Sequence, residues 1–184
     1  MSHEHGDCRS RRAVLSYALS LGVIATVARI ASAGDSVTIE EFAADGRSKG
    51  TASLPRVVKT DAEWRAQLSP LAYAVTRHAG TEPAFSGAYD KNHADGLYAC
   101  ICCATVLFDS RTKFDSGTGW PSFWKPISRF NVAEHGDDSF GLQRVAVACK
   151  RCEAHLGHVF DDGPRPTGLR YCMNSVALNF AVRT

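Results

Sequence analysis

The chain has 184 residues, 45% of them hydrophobic and 22% charged, enough apolar material for a folded core and too little charge for a disordered polyelectrolyte. Its formal net charge is +2, but four of its 21 basic and two of its 19 acidic residues fall in the first 33 positions, so the remainder carries 17 of each and is neutral. A neutral domain offers no electrostatic footprint for nucleic acid or an anionic membrane, and both are set aside as partners.

Residues 1–33 read as a targeting segment. Ser10-Arg11-Arg12-Ala13-Val14-Leu15 matches the twin-arginine export pattern, Ala13 to Ala28 is weakly apolar, and Ala31-Ser32-Ala33 is a small-residue cleavage site. The apolar run of 16 residues, closed by Arg29, falls short of the roughly 20 that a membrane-spanning helix needs. The expectation is cleavage after Ala33, no span in the mature chain, and a periplasmic or other extracytoplasmic location.

Residues 34–58 are expected to form a flexible arm, being mostly polar and broken by Gly46, Gly50 and Pro55. A single domain then fills 59–184. "TDAEWRAQLSPLAYAVTRHAG" predicts one or two short helices, with Thr60 or Asp61 as N-cap, Trp64 and Leu68 four apart, and Pro70 as a stop. From Leu97 onward the pattern changes to short alternating runs cut by turn residues: "LYACICC", "TVLFDS", "FWKPI", "FGLQRVAVAC", "HVFDD" and "LRYCMNSVALNF". Such spacing argues for a mainly β, antiparallel domain. Read as one strand, the last run puts Arg170, Cys172, Asn174, Val176, Leu178 and Phe180 on one face, a polar end running into an apolar one.

Cys100-Ile101-Cys102-Cys103 and Cys149-Lys150-Arg151-Cys152 are two C-x2-C knuckles 45 residues apart. Four thiolates brought to one point suit a closed, tetrahedral structural Zn2+ site, with Cys100, Cys103, Cys149 and Cys152 as ligands. Iron fits the same S4 cage, and disulfides are open to an exported chain. Cys102 breaks the two-residue spacing, and Cys8 leaves with the targeting segment. Cys172 is left outside the metal site and the knuckles.

The segments "TEPAFSGAYDKN", "SGTGWPSF", "HLGHVFDDGP" and "RYCMNS" together resemble the B-type methionine sulfoxide reductases, in order from about Trp64 to Phe180. The resemblance implies two antiparallel sheets around an active cleft with a structural zinc on the opposite side. It also implies Cys172 as a nucleophile that reduces methionine-R-sulfoxide, in proteins or free, and becomes a sulfenic acid. Arg170 puts a permanent positive charge beside that sulfur, which is expected to keep it a thiolate, and Asn174 is placed to hold a histidine ring or the substrate oxygen. His158 is the expected proton donor and His155 its helper or a water-holding group. Trp120, with Phe160, is expected to wall in the electron-poor S-methyl group. His78, His93 and His135 are expected at the surface.

The chain departs from the pattern in several places. Thr118 stands where many members carry the cysteine that resolves the oxidised nucleophile, so the expected reductant is an external thiol, thioredoxin-like or other, with Cys102 as the alternative resolver. Ala104 and Val106 replace a glycine and a proline after the first knuckle. Ala146 stands where an acidic residue is frequent, and nothing in the sequence accounts for it. Rival readings are a zinc-stapled β module that only binds a partner, and a thiol peroxidase or disulfide reductase using Cys172.

Overall fold

A computed structural model describes residues 36–138 and 143–184. The targeting segment lies outside the described residues. The strands are β1 (Ser36–Phe42), β2 (Ser48–Pro55), β3 (Gly96–Cys100), β4 (Val106–Asp109), β5 (Lys113–Phe114), β6 (Ser122–Phe123), β7 (Val132–Asp137), β8 (Arg144–Cys149), β9 (His155–Phe160), β10 (Arg170–Met173) and β11 (Leu178–Val182), with helices α1 (Asp61–Gln67) and α2 (Pro70–His78) between β2 and β3. All pairings are antiparallel. They make a six-stranded sheet in the order β5-β6-β10-β9-β8-β7, a three-stranded sheet in the order β11-β3-β4, and the β1-β2 hairpin. The mainly β fold with two short helices is as the sequence predicts.

Both helices are capped by their own sequence. Thr60 and Glu63 close a capping box on α1, which buries Trp64. Pro70 does more than end α1: Ser69 caps α2 by accepting from the Ala72 amide, and Pro70 occupies its first turn, where a missing N–H costs nothing. Among the described residues no helix is long and apolar enough to cross a membrane.

The core lies between the two larger sheets. Phe108 of β4 stacks on Phe123 of β6 at 4.5 Å between ring centroids, and Tyr98 of β3 meets Phe123 edge-on at 5.0 Å. All three are fully buried. Each such pair adds roughly 0.5–1.5 kcal/mol beyond its buried area.

Two expectations need correction. Within the expected arm, residues 36–55 are not loose, because β1 and β2 form a hairpin there. Val37 and Ile39 alternate inward, and the Asn131 side chain acts as a strand partner, accepting from Glu40 N and donating to Glu40 O at 2.9 Å each. The polar, exposed β2 conceals this pattern in the sequence. Nor is 169–180 one strand. It breaks after Met173 into a 3-10 turn at Ser175–Ala177, and β11 then joins the other sheet beside β3. Arg170 and Cys172 share a face, but that face does not continue to Leu178 and Phe180.

Candidate active site

Cys172 sits near the middle of the six-stranded sheet. The registers line up Phe114, Ser122, Cys172, His158, Ala146 and His135 as one cross-strand row, from β5 to β7. Side chains paired directly across antiparallel strands project from the same face, so Cys172 and His158 are immediate neighbours. Tyr171 and Met173 point into the core instead. Above the row is a cleft of about 140 Å³ lined by Trp120, Gly157, His158, Phe160, Cys172 and Asn174 among others. A larger groove of about 300 Å³ near Leu68, Tyr89 and Val176 contains neither a cysteine nor a histidine.

The electrostatics of Cys172 differ from the sequence expectation. Arg170 spends its guanidinium on a bidentate pair with Asp162, at 2.9 and 2.8 Å, while stacking over the Phe160 ring at 4.3 Å. Burial pushes the Cys172 thiol up; the Thr118 hydroxyl, the Arg170 charge and the Ser122 hydroxyl pull it down and do not prevail. Burial thus works against the thiolate expected of its cationic neighbour. Thr118 Oγ1 lies 3.8 Å from Cys172 Sγ, and Ser116 links Thr118 to Ser122 through contacts of 2.8 and 2.7 Å.

The two histidines come together through an irregularity. Three residues apart on a regular strand, they would face opposite sides. Between Val147 and Ala148 the β8–β9 register shifts by one residue, and the rings of His155 and His158 end edge-to-face with centroids 5.2 Å apart. Burial, aided by the charge of His158, pushes His155 down to about 4, so it is neutral at physiological pH. Its Nε2 is buried without a hydrogen-bond partner among the described residues. His158 Nε2 lies 2.7 Å from Asp137 Oδ2. His78, His93 and His135 are exposed.

Asn174 borders the cleft, but its amide is committed to backbone: Nδ2 donates to Leu156 O at 3.0 Å, and Oδ1 accepts from Glu82 N at 2.9 Å. These two bonds hold the end of β10 in place. Gly157 lies against the same strand, and a Cβ there would strike the Cys172 carbonyl.

The residue that sequence reasoning missed is Glu82. Only 1% exposed, it accepts from the Ser175 and Val176 amides at 2.6 and 3.0 Å, while its own carbonyl accepts from Trp120 Nε1 at 3.1 Å. One residue thus ties together Trp120, Asn174 and the turn after β10. A buried acid inside "TEPAFSG" was the available signal. Glu82→Gln turns a donor toward one of the two amides, and is expected to cost roughly 2–4 kcal/mol and to lower the melting temperature by about 5–10 °C, measurable by calorimetry.

The four knuckle cysteines converge. Their sulfurs lie within 4.8 Å of one another, with Cys100–Cys152 at 3.6 Å and Cys103–Cys149 at 3.5 Å. Four sulfurs 2.3 Å from a common cation would stand about 3.8 Å apart, so the set fits a tetrahedral ion. The knuckles are copies of each other: Ala104 N donates to Cys100 O and Glu153 N to Cys149 O, both at 2.9 Å, and Ala104 and Glu153 have left-handed φ of 60° and 59°. That conformation explains why a glycine would suit position 104. Cys100 is pushed well up by its sulfur neighbours Cys102, Cys103, Cys149 and Cys152, while Cys103 is held far down by Cys100, Cys149 and Cys152. Thiolates this crowded need a cation to be ionised together. Cys102 is buried beside them, outside the quartet.

The SelR domain family matches residues 68–182. The chain is 57% identical over 125 residues to the peptide methionine sulfoxide reductase MsrB of Herminiimonas arsenicoxydans, covering 68% of this chain and 91% of that protein. It is 60% identical over 121 residues to the protein of the same name from Thioalkalivibrio sulfidiphilus, covering 66% and 88%. With that of Pseudomonas syringae pv. syringae it shares 55% identity over 131 residues, 71% of this chain and all of the relative.

Proposed function

The chain belongs to the SelR domain family of peptide methionine sulfoxide reductases, and on that premise we propose that it reduces the R epimer of methionine sulfoxide through a sulfenic acid on Cys172, recycled by an external thiol. The observation that carries this reading is the row in which Cys172 and His158 stand side by side beneath a cleft walled by Trp120 and Phe160. The Cys172 sulfur attacks the sulfoxide sulfur while a proton reaches the sulfoxide oxygen. The S–O bond and the transient bond between the two sulfurs both break as the oxygen passes to Cys172 as S–OH, and methionine leaves, reduced by the two electrons that Cys172 has lost. Two external thiols then return Cys172–SH, forming one disulfide and one water.

His158 is the proton donor in this scheme, and neutral His155 orients the oxygen through its uncommitted Nε2. Burial opposes ionisation of Cys172 while Thr118 and Arg170 favour it, so in this scheme attack is coupled to deprotonation of the sulfur in the complex. The methyl group packs against Trp120, whose indole is anchored through Glu82. With the oxygen directed to the imidazoles and the methyl to the indole, only one handedness at sulfur presents its attack trajectory to Cys172. Assay of the separated epimers with dithiothreitol tests this directly: the R epimer is consumed and the S epimer persists.

Zinc is proposed as the cation of the cysteine quartet, where, when bound, it neutralises thiolates that cross-link two distant turns. We propose export by the twin-arginine segment, which would let the domain fold and load its metal before meeting an oxidising compartment. Repair of oxidised proteins under oxidative stress is the corresponding role. External recycling is favoured over Cys102, which is 4% exposed and packed against the metal ligands. Cys102→Ser is therefore expected to keep turnover within about twofold, measured with dithiothreitol and with a thioredoxin-type donor. A disulfide between residues 102 and 172 in the oxidised wild type would reverse that choice.

A further inference from the structure

The carboxylate partner of His158 comes from a distant strand. Asp137 Oδ2 lies 2.7 Å from His158 Nε2 and also accepts from Arg144 Nη2 at 2.8 Å. Asp137 ends β7, whereas the residue directly opposite His158 on the intervening β8 is Ala146. Neighbouring strands lie about 4.8 Å apart, so a carboxylate rooted on β7 reaches β9 only by passing over β8. Asp137 pairs with Arg144, and Arg144 and Ala146 project from the same face of β8. The short methyl group of Ala146 leaves that passage open. A long side chain there would lie between the partners.

We infer that Asp137 is the positioning residue for His158, reaching it across Ala146 to hold the protonated ring by its Nε2 hydrogen, so that the Nδ1 proton is the one passed to the sulfoxide oxygen. The catalytic part of this rests on the proposed role of His158. Among the described residues, the charged and titratable groups around the ring are Asp137 from β7, Arg144 from β8, His155 on its own strand and Cys172 from β10. Asp137 is the one carboxylate among them. It offsets Arg144, which would otherwise oppose a cationic imidazolium. The His158 and Asp137 side chains are 12% and 20% exposed, so the pair is less screened than one at the open surface. The geometry also accounts for Ala146, since the row needs a small residue at that point.

The test compares wild type, Asp137→Asn, Ala146→Leu and the double variant Asp137→Asn/Ala146→Glu. Four quantities are read: kcat and KM on methionine-R-sulfoxide, zinc content, melting temperature, and the ring N–H proton signal of His158 by NMR. Asp137→Asn is expected to lower kcat about 10- to 100-fold, a part of the total that a general acid supplies. KM stays within about twofold, zinc content and melting are unchanged, and the hydrogen-bonded ring proton signal is lost. Ala146→Leu produces the same losses with Asp137 intact. The double variant, with a carboxylate now directly opposite His158, regains about tenfold or more in kcat. Equal kcat in wild type and Asp137→Asn would overturn the inference, as would a loss of kcat accompanied by zinc loss or melting. A wild type inactive on both epimers would instead overturn the reductase reading, while the ring proton would still report the Asp137–His158 contact independently of turnover.

Discussion

Cys172→Ser is expected to abolish methionine sulfoxide reduction, by at least about a thousandfold, the scale on which loss of a covalent nucleophile is felt. Serine keeps the shape and can still meet Thr118 Oγ1 and the Ser122 hydroxyl, so the row of side chains stays filled. Zinc content and melting temperature should therefore match the wild type, and both belong in the same experiment as the activity assay. A hydroxyl in place of the sulfur cannot take up the sulfoxide oxygen as a sulfenic acid, so no slow residual reaction through residue 172 is expected. The variant also separates the rival readings. A zinc-stapled binding module predicts no activity even in the wild type. A thiol peroxidase predicts that peroxide outcompetes methionine sulfoxide for Cys172 in a mixed assay.

Loss of the metal is expected to be as drastic for stability as loss of Cys172 is for activity. The quartet joins the end of β3 to the end of β8, strands that belong to different sheets. Structural zinc contributes roughly 10–16 kcal/mol in isolated finger peptides, as much as the whole 5–15 kcal/mol stability of a typical domain. Cys149→Ser, or prolonged chelation of the wild type, should lower the melting temperature by more than about 10 °C and turn loss of activity into loss of fold. Circular dichroism followed together with metal content checks this. A folded, metal-free and active protein would contradict it. Elemental analysis and the visible spectrum decide between zinc, which is colourless, and iron in the same cage.

The metal quartet was legible because a C-x2-C knuckle is a local object: spacing alone turns both sulfurs to one side, and only the meeting of the two knuckles required the fold. Cys172 was legible by elimination among the cysteines and by resemblance of its surroundings. Its electrostatics were not, because a neighbouring arginine is visible in sequence whereas the desolvation that outweighs it depends on the walls of the cleft. The break at Asn174 was hidden for a related reason. Alternation through Val176, Leu178 and Phe180 is genuine, but the Asn174 amide, held by Leu156 and Glu82, sends those residues to a different sheet.

The remaining gaps concern partners far apart in the chain. Glu82 lies 93 residues from the Ser175 amide it accepts from, and Asp137 lies 21 from His158. Neither pairing leaves a periodic trace. The bulge that brings His155 beside His158 is an extra residue in a ladder, invisible until the register is known. Residues 36–55 show a further limit: a hairpin with one inward-facing strand and one exposed polar strand has the composition of a loop.

The most direct measurement is a single turnover without reductant. Stoichiometric methionine-R-sulfoxide is mixed with the metal-loaded protein, methionine release is quantified, and a sulfenic-acid-selective nucleophile traps the oxidised site for peptide mass spectrometry. The account predicts about one methionine per chain and a label on Cys172 alone, with the S epimer giving neither. Release of methionine with Cys172 unlabelled and still alkylatable, or label appearing only on a knuckle cysteine, would contradict it.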